Sequence, residues 1–251
     1  MSNSWKLAVF DFDNTIIDLN VYFLVDDLLK QNIPDNLNEI HDKYGWIERM
    51  NSLFESNSLN KEKINNILNK ILIDAKMKKF LKILHDNGYE TIIVSDNNSY
   101  FINYILEHNN VREYVKKMYT NEGYFSENGS FQLIGLNEVI YGENYRFDCN
   151  IGLNKCEHNI CKRLVLKYHF EISSKERNTS HPDNLIYVGD GVNDYCPGLI
   201  LTETDFFCVR KGHALENILI KNENSVKNNI KTSPVYWHDG KDLIEFFKTK
   251  L

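Results

Sequence analysis

Four short β-prone runs, Leu7–Phe10, Tyr89–Val94, Asn184–Val188 and Asp205–Val209, each lead into a polar residue or a glycine. Their apolar residues fall at successive positions rather than alternate ones, the pattern of a strand buried on both faces of a parallel sheet. Helical patterns separate the runs. Asp74–Asn87 carries Met77, Phe80, Leu81 and Leu84 at three-and-four spacing and meets Gly88 as a C-terminal cap. Ser99–Glu107, Cys161–Phe170, His213–Ile220 and Lys241–Lys248 are similar. Strand–helix alternation of this kind predicts an α/β fold on a doubly wound parallel sheet.

Two stretches interrupt the rhythm. Residues 20–73 hold helical periodicity without a convincing strand, as Val21–Lys30, Leu37–Phe54 and Lys61–Ile71. A simple crossover would need one helix there, so a small inserted helical domain is expected. The division is then 1–19 and 74–251 for the α/β core and 20–73 for the insert. The second interruption, Asn121–Ile151, alternates Gly, Asn, Phe and Tyr and predicts a β-hairpin turning at Glu127-Asn128-Gly129.

Composition narrows the function classes. The 251 residues can bury a proper core as one large domain or two modest ones. Lys plus Arg number 29 and Asp plus Glu 35, a net charge of −6. That balance argues against a sequence-independent nucleic-acid binder and a polybasic membrane-surface protein. No apolar run approaches the ~20 residues that span a bilayer, so no membrane partner is expected. Met1–Phe10 lacks the apolar stretch of a secretory signal. Five cysteines, an odd number, make no disulfide framework, and a reducing, cytoplasmic setting is the default. Cys149, Cys156 and Cys161 with His158 are a zinc-ligand set by residue type, but their spacing fits no regular zinc pattern. Asparagine, at 33 positions, reads as a compositional bias of a folded surface.

The chemistry lies in two acidic clusters. Asp11-Phe12-Asp13-Asn14-Thr15 leaves the first strand, and Gly189-Asp190-Gly191-Val192-Asn193-Asp194 leaves Leu185–Val188. Strand ends of an open parallel sheet are where such folds place ligands. Asp11, Asp13, Asp190 and Asp194 gathered there would repel one another unless a cation or protons intervene, and oxygen-only ligands suit Mg²⁺. One divalent ion does not balance four carboxylates, so a phosphate group would need a lysine and a protonated Asp13 as well. Lys162 is the candidate lysine, and Ser95, after Thr91–Val94, offers a hydroxyl for the phosphate.

The order Asp11-x-Asp13-x-Thr15, Ser95, Lys162, Gly189-Asp190-Gly191-x-x-Asp194 resembles the haloacid dehalogenase-like (HAD) phosphohydrolase superfamily, with the helical insert as its cap. Within it, DFDNTIID (11–18), SDNNSYFI (95–102), CEHNICKRLVL (156–166), YVGDGVNDYCP (187–197) and VRKGHALENIL (209–219) resemble the PHOSPHO phosphatase family. That family comprises phosphoethanolamine/phosphocholine phosphatases and a pyridoxal phosphate phosphatase. Where it reads Asp-x-Asn-Ser-Asp, this chain reads Asp18-Leu19-Asn20-Val21-Tyr22, so Tyr22 replaces an acidic residue offered to the substrate. The family's CNRCPxNxCK is likewise altered, reading LNKCEHNICK at residues 153–162, with one cysteine lost and no proline.

The resemblance implies a phosphatase acting on a small phosphomonoester, best matched by pyridoxal 5′-phosphate or by phosphoethanolamine/phosphocholine. Asp11 would be the nucleophile and Asp13 the general acid and base. Mg²⁺ would be held by Asp11, Asp190 and the main-chain carbonyl of Asp13. Ser95 and Lys162 would hold the phosphoryl oxygens, with Thr15 beside them and Asp194 orienting Lys162 or a metal-bound water. Asp96 matches a substrate-contacting position, with a helix N-cap as its structural alternative. Tyr22, Tyr44 and Trp46 could face a pyridine ring or a quaternary ammonium, or simply belong to the core. A phosphomutase or phosphotransferase needs the same four motifs. A phospho-acceptor receiver-like domain would also carry an acidic pocket and a lysine, but without a large helical insert after its first strand.

Overall fold

The computed structural model describes residues 4–142, 159–221 and 229–250. Among them, seven strands form one sheet: β1 (Lys6–Phe10), β2 (Glu90–Asn98), β3 (Lys117–Phe125), β4 (Phe131–Ile134), β5 (Asn184–Gly189), β6 (Phe206–Arg210) and β7 (Pro234–Trp237). Their order is β4-β3-β2-β1-β5-β6-β7, and every pairing is parallel except β3 with β4. Ala8 of β1 lies opposite Thr91 on one side and Ile186 on the other. The successive apolar positions of β1 serve two cores, Ala8 and Phe10 one and Leu7 and Val9 the other. That division is what a sheet covered on both faces requires.

Between β1 and β2 the chain builds α1 (Val21–Leu29), α2 (Leu37–Tyr44), α3 (Trp46–Ser56), α4 (Lys61–Leu68) and α5 (Ala75–Asp86). Next come α6 (Ser99–His108), α7 (Leu136–Tyr141), α8 (Lys162–Arg177), α9 (Tyr195–Gly198), α10 (Ala214–Lys221) and α11 (Gly240–Phe247). Helices α1–α4 bury Val21, Val25, Met50, Phe54, Ile64 and Leu68 in the same apolar cluster as Ala8 and Phe10. Asn109 joins their exit to the sheet layer: it accepts from the Ile73 N–H and donates to the carbonyls of Ile71 and Ile105. No helix among the described residues is long and apolar enough to cross a membrane.

Several expectations change. The helix expected over 37–54 is two helices, because Gly45 at φ 93° and ψ −171° breaks it. The third helix of the insert stops at Leu68. Strand β2 continues past Val94 to Asn98 with a register shift, so Ser95 lies inside the strand rather than after it, and α6 starts at Ser99 as expected. Two strands carry no clear sequence signal. The parallel part of β3 mixes Lys117 and Thr120 with its apolar residues, and β7 is short and opens with Pro234. The hairpin forms as β3–β4, with Gly129 at φ 80° in its turn. Residues 143–158, which include the end of that excursion, Cys149, Cys156 and His158, lie outside the described residues. Cys161, Cys196 and Cys208 are buried. Asparagine is not only a surface residue, since Asn57, Asn97, Asn98, Asn109 and Asn121 are buried and hydrogen-bonded.

Gly45 occupies backbone space that a Cβ disfavours. Gly45→Ala is therefore expected to lower unfolding stability by about 1–3 kcal/mol in a urea titration. A change within about 0.5 kcal/mol, the range of an ordinary surface substitution, would show that the α2–α3 break carries no strain.

Candidate active site

The strand order turns at β1, which has β2 on one side and β5 on the other. In open α/β sheets the crevice at such a reversal, outside the carboxyl ends of the strands, is the ligand position. Asp11 leaves β1 there, with its N–H bonded to the Val188 carbonyl of β5 at 2.9 Å. Asp190 and Asp194 follow β5, Ser95 to Asn97 lie in the extension of β2, and Lys162 opens α8.

Lys162 is buried, its Nζ 2.7 Å from Asp11 Oδ2 and 2.8 Å from Asp194 Oδ1. The same Asp194 oxygen accepts from the Tyr187 hydroxyl at 2.7 Å. Its other oxygen accepts from the N–H groups of Asp190 (3.1 Å) and Gly191 (2.9 Å). Two oxygens with four donors leave Asp194 little capacity for a further ligand. The close fold-back needs glycine, since a Cβ on Gly189 would lie 2.4 Å from Asp194 Cγ.

Ligand atoms of Asp11, Asp190 and Asp194 lie within 4.8 Å of one another, and with the Asp194 oxygens taken by their donors, Asp11 and Asp190 are the carboxylates left to hold a metal ion. One ammonium does not neutralise them. Burial pushes Asp11 well above the ordinary carboxyl range despite Lys162, and Asp194, Asp96 and Asp190 add repulsion. Burial and then the Asp194 charge push Asp190 up to about 7. Burial disfavours a charged Lys162, but Asp11 and Asp194 together keep its pKa above the usual lysine value. An all-oxygen set with unbalanced negative charge fits a hard divalent cation. Asp190 also accepts from the Thr15 hydroxyl (3.2 Å) and pairs with His213 Nδ1 (3.1 Å), which fixes the carboxylate plane. Thr15 therefore reaches the candidate metal ligand.

Asp13 faces elsewhere. Its Oδ1 accepts from the Val21 N–H at 3.2 Å, and Asn97 Nδ2 reaches Oδ1 at 3.1 Å and Oδ2 at 2.9 Å. Burial, then the nearby Asp96 charge, push its carboxyl up to about 8, against the pull of those donors. A group of this kind carries a proton at neutral pH, whereas Asp11 sits against the Lys162 ammonium. Ser95 is fully buried and its Oγ accepts from the Asn97 N–H at 3.3 Å. Asp96 is not the helix N-cap. That position belongs to Asn98, whose side chain accepts from the Phe101 N–H, while the Asp96 carboxylate is held by Asn193 Nδ2 at 3.1 Å.

A cavity of about 540 Å³ lies beside this cluster, lined by Tyr22, Phe23, Trp46, Arg49 and Met50 from the inserted helices and by Asp96 from β2. Tyr22 meets Trp46 edge-on at 5.1 Å, and its hydroxyl accepts from Asn98 Nδ2 at 3.1 Å. Tyr44 is exposed and is not part of the lining. Sequence reasoning missed Asn97, Tyr187, Asn193, Arg210 and His213. Arg210 ties Asp18 and the Asn14 carbonyl to the end of β6 and faces the Trp237 ring. Arg210 and His213 stand just beyond a recognisable strand, the one signal that could have marked them.

Removing Asp194 takes one of the two carboxylates from the buried Lys162 and leaves the Tyr187 hydroxyl and two main-chain N–H groups without their acceptor. Asp194→Ala is expected to cost about 3–5 kcal/mol of unfolding free energy. Urea titration checks this, and a loss below about 1 kcal/mol would mean that Lys162 needs no anchor beyond Asp11.

The model of a family described as "Putative Phosphatase" matches residues 6–251. "Inorganic pyrophosphatase 2" from Arabidopsis thaliana is 30% identical over 245 residues, covering 96% of this chain and 82% of that protein. "Pyridoxal phosphate phosphatase PHOSPHO2" from Bos taurus is 28% identical over 248 residues, covering 96% of this chain and 97% of that protein. Among solved structures, a phospho-aspartyl intermediate analogue of phosphoserine phosphatase aligns with a TM-score of 0.56 at 15% identity, over 97% of this chain and 99% of that one. This likeness shows the HAD-like fold. With its family matched over nearly the whole chain, the protein belongs to this family of phosphatases.

Proposed function

We propose that the chain is a Mg²⁺-dependent phosphomonoesterase that works through an aspartyl-phosphate on Asp11 and prefers pyridoxal 5′-phosphate. The supporting observation is the separation of two acids two residues apart: Asp11 paired with Lys162, Asp13 turned to Asn97 and raised to about 8. An oxygen of Asp11 attacks phosphorus while the bond to the leaving oxygen breaks, and Asp13 gives that oxygen its proton. Asp13, now a carboxylate, takes a proton from water. The water oxygen bonds to phosphorus, the Asp11–phosphorus bond breaks, and phosphate leaves. Lys162 and the Ser95 hydroxyl hold the phosphoryl oxygens, and Asp194 positions Lys162. Asp11, Asp190 and the main-chain carbonyl of Asp13 are the residues that would hold Mg²⁺. When bound, Mg²⁺ supplies positive charge that offsets the repulsion between nucleophile and phosphate.

Residues 20–73 act in this reading as a helical cap over the core of 1–19 and 74–251, carrying the leaving-group end of the cavity. Its walls there are the Tyr22, Phe23, Trp46 and Met50 side chains, suited to a flat ring. Asp96 in the same lining would attract a substrate ammonium, and the Arg49 side chain, which no hydrogen bond or ion pair engages among the described residues, would oppose that attraction. The aromatic walls and Arg49 favour pyridoxal 5′-phosphate over phosphocholine or phosphoethanolamine. A cytoplasmic setting fits the buried thiol of Cys208.

Asp11→Asn is expected to keep the fold and lose multiple-turnover release of phosphate with Mg²⁺ present. Activity above about a tenth of wild type, ~1.4 kcal/mol or less in barrier, would reject Asp11 as nucleophile. The same assay separates a phosphatase from a phosphomutase or phosphotransferase, which releases no free phosphate over many turnovers.

Substrate choice is tested by kcat/KM for pyridoxal 5′-phosphate, phosphocholine, phosphoethanolamine and inorganic pyrophosphate. Pyridoxal 5′-phosphate should lead, and Arg49→Ala should narrow its margin over phosphocholine about tenfold, ~1.4 kcal/mol. A lead for any other substrate, or a margin that Arg49→Ala leaves unchanged, would overturn the assignment.

A further inference from the structure

Asn97 is fully buried, and both ends of its amide are committed. Its Oδ1 accepts from the Asn98 N–H at 2.7 Å, which directs Nδ2 to the Asp13 carboxylate, 3.1 Å from Oδ1 and 2.9 Å from Oδ2. The backbone beneath it is fixed as well. Ser95 Oγ accepts from the Asn97 N–H at 3.3 Å, and Asn121 Nδ2 donates to the carbonyls of Asp96 (2.7 Å) and Asn97 (3.0 Å). This is the stretch where β2 shifts register, so the irregular strand turns Asn97 toward β1. With the Val21 N–H on Oδ1, the Asp13 carboxylate is fixed in plane, and Oδ2, with one donor, retains a lone-pair position for a proton.

We propose that Asn97 is the positioning residue for Asp13, holding the carboxylate in the rotamer from which it exchanges a proton with the leaving oxygen. The inference rests on the role proposed above for Asp13. An amide suits the task because it orients the carboxylate without bringing a full charge. A lysine or arginine at the same place would hold Asp13 ionised and remove the acid. The proton moves from Asp13 to the bridging oxygen as the phosphorus–oxygen bond breaks, and a later proton from water restores the acid. Asn97 takes no part in bond making, so its loss is felt only where Asp13 moves a proton, to the leaving oxygen or from the attacking water.

Leaving groups that differ in their need for a proton isolate that role. The parameter to read is kcat/KM, which covers the steps up to leaving-group departure and excludes hydrolysis of the aspartyl-phosphate shared by all substrates. For Asn97→Leu, similar in size but without a donor, kcat/KM toward the alkyl ester pyridoxal 5′-phosphate should fall about a hundredfold, the low end of general-acid effects. Toward p-nitrophenyl phosphate, whose phenolate leaves unprotonated, it should fall less than about threefold, because no proton transfer is needed. Asn97→Ser, with a shorter donor, should lie between. Both substrates are measured on one preparation, so any loss of folded protein cancels in their ratio. Asp13→Asn serves as the control for the underlying role. If Asp13→Asn discriminates between the substrates and Asn97→Leu lowers both equally, Asn97 is structural and the inference fails. If Asp13→Asn itself shows no discrimination, the acid assignment fails instead.

Discussion

The ammonium of Lys162, buried between Asp11 and Asp194, is the contact on which the rest of the site depends. Removing such a charge from water costs several kcal/mol, and only close, well-bonded partners offset it. The structure meets that demand with Asp194, whose oxygens are filled by Lys162, Tyr187 and two main-chain N–H groups. Meeting it constrains much of the fold. The N-terminus of α8 must reach the carboxyl edge of the sheet, and Tyr187 must point from β5 to the same face. Residue 189 must lack a Cβ so that the loop can fold back on itself.

A second constraint is the sharing of a small space among Asp11, Asp13, Asp96, Asp190 and Asp194. These carboxylates are given different partners rather than one common field. Asp11 and Asp194 meet the lysine, Asp190 meets Thr15 and His213, Asp96 meets Asn193, and Asp13 meets the uncharged Asn97 and Val21 N–H. Environments that hold one acid beside a cation and another beside neutral donors would, in the proposed mechanism, separate nucleophile from proton carrier, the pattern by which acid and base roles are divided in many enzymes. The Val21 N–H belongs to the first turn of α1, so the position of Asp13 is also tied to the inserted helices.

Much of this was legible in the sequence. Leu7–Phe10 followed by Asp11 and Asp13 marks a doubly buried strand meeting a polar edge. Leu185–Val188 followed by Gly189 and Asp190 marks another, and the adjacency of β1 and β5 brings the two acidic ends together. What escaped depends on contacts between distant segments. The parallel part of β3 and the whole of β7 are shaped by neighbouring strands more than by their own residues, and the break at Gly45 is decided by one backbone conformation. Asparagine was the least legible residue. Composition alone suggests solvent-facing side chains, yet Asn97, Asn98, Asn109 and Asn121 bond buried backbone and carboxylate groups. Nothing local distinguishes Asn97 from its exposed counterparts, because its role exists only once β2 lies beside β1.

The central claim is that phosphorus passes through a covalent bond to Asp11. Adding borohydride during turnover of p-nitrophenyl phosphate, which has no aldehyde to consume it, reduces an acyl phosphate to an alcohol, and peptide mass mapping then locates it. The account predicts homoserine at position 11, dependent on substrate and absent from Asp11→Asn. Reduction at another carboxylate, or no reduced residue while phosphate is still being released, would contradict it.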